Sequence, residues 1–161
     1  YFPTTTGMPY YTVRQGDTLF IVLDGGEDKP DDNLEYYETA QYDAYRRAQA
    51  KWLEGVVDSE ECRSAKYRIV LMHMPPVGRG WHGPLYAAEC FAPVLNRADI
   101  TVMLCGHTHK YSYHTPAETI YNFPVLVNSA NAVLKAKVSA EGVGIDVIDH
   151  TGKVVRRHNV K

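Results

Sequence analysis

The sequence lacks the features that would tie the chain to a membrane or to nucleic acid. It contains no run of 18 apolar residues, and its first residues do not show the charged-then-apolar pattern of a signal peptide. The 17 basic and 19 acidic residues give a net charge of -2, so there is neither a basic field for nucleic acid nor a polybasic patch for a lipid surface. We therefore expect no membrane span and no nucleic-acid partner.

Cysteine is also scarce. The chain has three cysteines, Cys62, Cys90 and Cys105, an odd number with no C-x-x-C spacing. This pattern indicates neither a disulfide framework nor a thiolate zinc site. Because Cys105 closes an apolar run, we expect it to be a buried thiol.

The composition is that of a globular domain. Of 161 residues, 45% are hydrophobic and 22% are charged, and no repeat or Pro, Gly or Ser tract marks a boundary, so we interpret residues 1–161 as one domain. The chain begins at Tyr1 without a methionine and soon enters strand-like sequence. We interpret it as a piece of a longer protein, so the sequence leaves the localisation of the parent protein open.

The first third of the chain predicts a hairpin and then a long helix. Residues 10–13 and 19–23 are β-rich runs, and Gly16-Asp17 between them is typical of a hairpin turn. From about residue 34 to residue 57 the composition favours a helix, and positions 45–56 have the three-and-four apolar spacing of an amphipathic helix. The residues expected to face its core are Tyr45, Ala48, Trp52, Leu53 and Val56. This aromatic stripe would also suit a ligand groove, but core packing explains its spacing without a ligand.

The middle of the chain predicts a crossover between two parallel strands. A strand over residues 67–72 ends at His73, because the prolines after Met74 cannot continue a strand. A glycine-rich loop follows over residues 77–84, then a helix over residues 85–95 and a buried strand over residues 101–105. Such a unit places its ligand site at the carboxyl ends of the two strands.

The last third predicts an antiparallel region. Residues 111–114 look extended and half exposed, and short alternating runs follow. These runs cover residues 125–128, 134–138, 144–149 and 153–157, with a turn at 149–152. The fold class expected for the whole chain is therefore α/β, with a mixed sheet and an antiparallel C-terminal part.

Histidines follow both strands of the predicted crossover. Residues 101–109 read TVMLCGHTH, so His107 and His109 would project from the same side if the chain stayed extended after Gly106. A bare His-x-His is also compatible with a coincidental surface pair. His73 lies at the same sheet edge, and three imidazoles there would repel one another when protonated unless a cation held them neutral. The pattern therefore indicates a metal site of His73, His107 and His109.

Two blocks of the sequence resemble a known family. Residues 69–76 read IVLMHMPP and residues 104–111 read LCGHTHKY. They resemble the last two metal-binding blocks of the calcineurin-like metallophosphoesterases, the superfamily that includes purple acid phosphatases. The strand before Asp24 and the helix around Trp52 resemble the stretch that precedes these blocks. The resemblance implies the C-terminal half of an α/β sandwich with two main helices, and a secreted or periplasmic parent protein.

The resemblance also implies roles for four histidines. In this family two metal ions clamp a phosphoryl group while an activated water attacks phosphorus. By motif, His73 and His107 would bind one metal ion and His109 the other, with iron, zinc or manganese as the candidate metals. His82 resembles a histidine that contacts the phosphate or protonates the leaving oxygen; a flexible loop would also leave it in water.

The sequence departs from the family upstream. The family's Asp-x-His, Gly-Asp and Gly-Asn-His blocks are absent from this chain. Asp17 follows a glycine but precedes its strand, and Asp24 follows a strand without that glycine, so we interpret both as turn or loop residues. Without the bridging carboxylate, the chain alone is expected to be at best a weak phosphatase that binds one metal ion or none. Three histidines and water would suffice for a single zinc site.

The sequence therefore supports two hypotheses of different classes. The first is a metal-dependent phosphoric ester hydrolase, of which this chain is the C-terminal half and a phosphate ester the substrate. The second is a non-catalytic metal-binding or interaction domain. Such a domain would associate through an exposed sheet edge, for example as a homodimer.

Overall fold

The computed structural model describes residue 4 and residues 7–78 and 80–160. In this part of the chain, nine strands form two sheets, accompanied by α-helices and short 3-10 turns. The helices are α1 (Tyr42–Val57), α2 (Glu60–Ser64) and α3 (His82–Leu95), and the 3-10 turns are Leu34–Tyr36 and Pro116–Glu118. The strands are β1 (Tyr11–Gln15), β2 (Thr18–Leu23), β3 (Tyr67–Met72), β4 (Val102–Cys105), β5 (Ser112–His114), β6 (Val125–Val127), β7 (Ala132–Ser139), β8 (Gly142–Asp149) and β9 (Val154–Val160).

The larger sheet is mixed. Its strand order is β1-β2-β3-β4-β6-β5; the inner pairs are parallel, whereas β1 and β5 run antiparallel to their neighbours. The smaller sheet is an antiparallel meander of β7, β8 and β9. The parallel pairing of β3 with β4 confirms the predicted crossover.

The alternation of side chains along β3 builds two cores. Val70 and Met72 pack in the cluster that includes side chains of α1 and α3, whereas Tyr67 and Ile69 pack in the cluster that includes Val143 of β8. The larger sheet therefore lies between a helical layer and the smaller sheet. The α/β fold class, with a mixed sheet, two main helices and an antiparallel C-terminal region, is confirmed.

The first helix is shorter than predicted. It begins at Tyr42 instead of residue 34, because Tyr37 and Glu38 have φ angles of 49° and 60° and break the helical path. The Asp31 carboxylate accepts hydrogen bonds from the backbone N–H groups of Tyr42 and Asp43 and so satisfies the new helix start. This local capping could not be read from hydrophobic spacing.

The buried stripe of α1 also differs from the prediction. Its buried residues are Arg46, Gln49, Leu53 and Val57, and Ala48 is exposed. Leu53 was predicted correctly, whereas Tyr45, Trp52 and Val56 flank the stripe and are half-buried. The stripe includes two polar residues because their side chains bond the backbone after β2, which a hydropathy pattern does not register.

The second long helix begins earlier than predicted, at His82 instead of Leu85. Pro84 falls in its first turn, where a missing N–H leaves no helical hydrogen bond unmade. His82 therefore lies on a helix, which corrects its predicted position in a loop.

Most other predictions of local structure are confirmed. Gly16 has a φ of 57° in the β1-β2 turn, which places Asp17 in that turn as expected. Cys105 is a buried free thiol. At the β8-β9 turn the Asp149 carboxylate accepts hydrogen bonds from the N–H groups of Thr151 and Lys153. Within the described part of the chain, no helix combines the length and the apolar character needed to cross a lipid bilayer.

Candidate metal centre

Two of the predicted ligands meet at the carboxyl edge of the larger sheet. Leu71 of β3 is in register with Leu104 of β4, so His73 and His107 follow neighbouring parallel strands. The backbone N–H of Gly106 donates to the His73 carbonyl at 2.9 Å, which fixes the two strand ends together. The imidazole centroids are 5.3 Å apart with perpendicular ring planes, and both residues are exposed.

The chain turns sharply after Gly106. His107 and His109 have φ angles of 67° and 59°, in the left-handed region that residues other than glycine rarely adopt, and the Thr108 N–H donates to the Gly106 carbonyl at 2.7 Å. The segment is therefore not extended, and the expectation that both imidazoles project from one side of an extended chain does not apply. His107 and His109, separated only by Thr108, each store about 1–3 kcal/mol of backbone strain. Strained residues of this kind cluster at functional sites.

The histidines do not form a closed metal cage by themselves. Among residues 4, 7–78 and 80–160, no three His, Cys, Asp or Glu side chains lie close enough together to hold a metal ion. The exposed imidazoles of His73 and His107 fit part of a ligand set, because imidazole nitrogen is a common metal ligand. A stable metal ion there needs further donors.

Asp24 directly follows β2, next to the strand that His73 follows. One carboxylate oxygen accepts from the Gly26 N–H at 3.0 Å and the other from the Tyr45 hydroxyl at 2.9 Å. Burial, and next the Asp24 carboxylate, raise the pKa of Tyr45 above its usual value, so this phenol stays protonated as the donor. These bonds agree with the interpretation of Asp24 as a loop residue.

His82 is held between the two long helices. Its Nε2 lies 2.9 Å from both carboxylate oxygens of Asp43 in the first turn of α1, and its ring stacks on Tyr86 at 5.4 Å. Asp43 in turn accepts from the buried Arg46 guanidinium at 2.7 Å. The ring of His82 thus has fixed protein partners and does not lie free in a glycine-rich loop.

Sequence reasoning did not identify Asp43 and Arg46. They lie 39 and 36 residues before His82, on α1. Hydrophobic spacing predicted the buried face of this helix one residue away from its actual position. Their one available signal is an i,i+3 acid-base pair at a helix start, which is common on solvated helix faces.

Comparison with known proteins gives a family and a fold. The sequence model of a family described as calcineurin-like phosphoesterase matches residues 4–111. No curated protein sequence matches the chain.

Among solved structures, the chain is similar to a purple acid phosphatase isolated from yellow lupin (Lupinus luteus) seeds, with a TM-score of 0.60 and 11% identity. The match covers 93% of this chain and 32% of the lupin chain, so the chain spans about a third of that protein's length. At this identity the likeness concerns the fold.

Proposed function

We propose, because the chain belongs to the calcineurin-like phosphoesterase family, that it forms part of a metal-dependent hydrolase of phosphoric esters. In this proposal His73 and His107 bind one metal ion, and His109 binds a second. Iron, zinc and manganese are the candidate metals, since imidazole is a ligand for all three.

The pairing of His73 with His107 carries the proposal. Their rings are 5.3 Å apart at the carboxyl edge of parallel strands, which is where ligands bind in open α/β sheets. Both side chains are exposed, so a metal ion and a substrate would reach them without unfolding.

The metal ions would supply Lewis-acid activation of water and of the phosphoryl group. The protein would fix the positions of the ligands. The hydrogen bond from the Gly106 N–H to the His73 carbonyl joins the two strand ends. The left-handed backbone at His107 and His109 determines the direction in which each side chain leaves the chain. Fixed ligands of this kind lower the reorganisation needed during reaction.

We propose that His82 contacts the phosphoryl group or the leaving oxygen. If Nε2 donates to Asp43, then Nδ1 is the ring nitrogen that remains for the substrate. Asp43 is a positioning residue in this proposal, because it acts through His82. The Asp43→Asn variant should lower kcat by a larger factor than it raises KM. If Asp43 had a purely structural role, kcat and KM would change by similar factors.

We further propose that the site is completed by residues outside this chain. The family's Asp-x-His, Gly-Asp and Gly-Asn-His blocks are absent here, and the bridging carboxylate is among them. The chain alone is therefore expected to hydrolyse phosphate esters weakly or not at all.

The test compares this chain with the longest reading frame that contains it. Each is assayed with p-nitrophenyl phosphate in the presence of Mn²⁺, Zn²⁺ or Fe²⁺. The long form should show metal-dependent hydrolysis, and His107→Ala in it should lower kcat/KM at least about 100-fold. His150→Ala, in an exposed turn, is the control and should retain activity. Absence of hydrolysis in both forms would overturn the hydrolase proposal.

A second candidate, a non-catalytic domain that associates through a sheet edge, has one observation in its favour. β1 is an edge strand of the larger sheet, and its Val13 is 47% exposed. This candidate predicts a homodimer of the chain that Val13→Lys dissociates. Sedimentation of both variants distinguishes the two functions, because the hydrolase proposal does not require a dimer.

A further inference from the structure

A groove of about 460 Å³ begins at the candidate metal centre and runs along the start of α3. His107 and Thr108 line it, together with Pro75, Trp81, Pro84 and Leu85. His107 therefore belongs to both features. Its ring centroid lies 5.3 Å from that of His73, and the residue also lines the groove.

The groove is amphipathic. His107, Thr108 and Asp28 bring an imidazole, a hydroxyl and a carboxylate, whereas the prolines, Trp81 and Leu85 bring apolar surface. Its volume falls within the range of small-molecule sites, which are mostly apolar with a few placed polar groups. This pattern suits a ligand with a charged or polar head and a flat apolar body.

The apolar side chains of the groove are exposed, so a ligand could contact them directly. Trp81 is 55% exposed and Leu85 is 50% exposed, and they lie four residues apart at the start of one helix. The Lys29 ammonium lies 5.8 Å from the Trp81 ring centroid, and it is itself bonded to Glu35 at 2.9 Å. The Lys29 ammonium therefore makes a cation–π contact with the exposed indole of Trp81.

The apolar surface continues beyond this groove. A second groove of about 550 Å³ shares Val77, Gly78 and Leu85 with the first and reaches Ile120, which is 60% exposed. Glu89 and Glu118 also line this second groove. An ester group larger than a single ring would therefore find further apolar surface.

We propose that this groove binds the organic group of the substrate and that the preferred substrates are phosphate esters of aromatic alcohols. The phosphoryl group would lie at His107, and the aromatic ring would stack on Trp81 and pack against Leu85. Indole and proline rings present flat faces, which favour a flat aromatic group over a polar sugar or a short alkyl chain. This inference rests on the proposed function, since it takes His107 to lie at the phosphoryl site.

The chain provides a direct probe, because it contains two tryptophans. The indole N–H of Trp81 reports on the groove in a ¹H–¹⁵N correlation spectrum. That of Trp52 is the internal reference, since its ring packs on Tyr10 at a centroid distance of 4.8 Å. The chain is titrated with phenyl phosphate, ethyl phosphate and inorganic phosphate. Phenyl phosphate should shift the Trp81 signal in a saturable way while the Trp52 signal stays in place; the other two should not.

Leu85→Ser tests the groove without removing the probe. It should weaken phenyl phosphate binding about fivefold or more. The matched control is Val133→Ser, which changes a 64% exposed apolar residue on β7 and should leave the affinity unchanged. Equal shifts with phenyl, ethyl and inorganic phosphate, or no shift with any of them, would overturn the inference.

The same ligands separate the failure of this inference from the failure of the proposed function. If the long reading frame hydrolyses phenyl and ethyl phosphate equally well, the aromatic groove is wrong and the hydrolase stands. If phenyl phosphate shifts Trp81 but neither form of the protein hydrolyses any ester, the groove stands and the hydrolase is wrong.

Discussion

At the scale of single residues, Arg46 holds together the segment that follows β2. Its side chain is fully buried and donates to the Gly25 carbonyl at 2.8 Å, to the Glu27 carbonyl and to the Asp43 carboxylate at 2.7 Å. A buried cation is tolerated only when its charge is paired and its donors are satisfied, and here one carboxylate and two carbonyls meet that need. Arg46 also fixes Asp43, the partner of His82.

Arg46→Ala should lower the free energy of unfolding by about 3–5 kcal/mol, because it removes a buried ion pair and leaves buried carbonyls unpaired. Arg46→Lys should recover only part of this loss, since one ammonium cannot replace the planar guanidinium fork. Urea denaturation followed by circular dichroism measures both changes.

The adjacent residue offers the control. Arg47 is exposed and donates to the Tyr86 hydroxyl at 2.6 Å, so Arg47→Ala should cost less than about 1 kcal/mol. Similar losses at the two positions would contradict the structural role assigned to Arg46.

At the scale of elements, the start of α3 lies directly against the segment after β2. A Cβ added at Gly83 would lie 2.2 Å from the Glu27 carbonyl oxygen and 2.8 Å from the Asp28 Cα. The Gly83 N–H also donates to the Asp28 carbonyl at 2.7 Å. The absence of a side chain at this one position therefore allows the close contact that places His82.

Gly83→Ala should destabilise the protein by at least about 2 kcal/mol, because both obstructing atoms belong to the backbone and the helix must move. The control is Gly55→Ala in α1, where an added Cβ meets nothing within 4 Å; it should stabilise by about 0.5–1 kcal/mol through helix propensity. Thermal unfolding of both variants gives the comparison. A change of the same sign at both positions would rule out the close contact at Gly83.

A second contact between elements makes stability depend on pH. His158 of β9 stacks on Tyr113 of β5 at 4.3 Å, and its Nε2 is hydrogen-bonded to the Tyr111 hydroxyl. Burial, and next the charge of Arg156, lower the pKa of His158 below its usual value. This contact joins the two sheets two residues after His109.

The lowered pKa fixes the sign of the effect. In the unfolded chain His158 has the ordinary histidine pKa of about 6.5. As the pH falls, it is therefore protonated at a higher pH in the unfolded chain than in the native protein. The stabilisation by neutral His158 is therefore present above about pH 6.5 and is lost as the pH falls through the native pKa. His158→Gln should show a smaller loss of stability between about pH 7.5 and 5 than the wild type, as measured by urea denaturation at each pH.

His150→Gln, which changes a histidine outside the contact between the sheets, is the matched control for this series. Parallel pH profiles for the wild type and His158→Gln would show that the inter-sheet contact does not titrate in this range.

The elements that the sequence predicted best are those specified by periodicity alone. The apolar runs of β3 and β4 and the crossover between them are enough to predict His73 and His107 at one sheet edge. The buried face of α1 was displaced because Arg46 and Gln49 are buried by hydrogen bonding to backbone, which hydropathy does not detect. The pairing of His82 with Asp43 was equally hidden, since it depends on how α1 and α3 pack.

At the scale of the whole molecule, each layer positions a residue of the proposed centre or a close sequence neighbour of one. The larger sheet places His73 and His107, the helical layer holds His82 through Asp43, and the contact between the sheets holds Tyr111 just after His109. The described residues nevertheless contain no complete set of metal ligands. In our proposal these residues form one part of a metal site that further residues complete.

The measurement that tests this account most directly is the metal content and affinity of the longest reading frame that contains the chain. Wild type, His73→Ala, His107→Ala and the control His150→Ala are compared by calorimetric titration with Mn²⁺ or Zn²⁺ and by elemental analysis. The account predicts that His73→Ala and His107→Ala each lose the same metal ion while His150→Ala keeps the wild-type content. Unchanged stoichiometry and affinity in both His73→Ala and His107→Ala would contradict it.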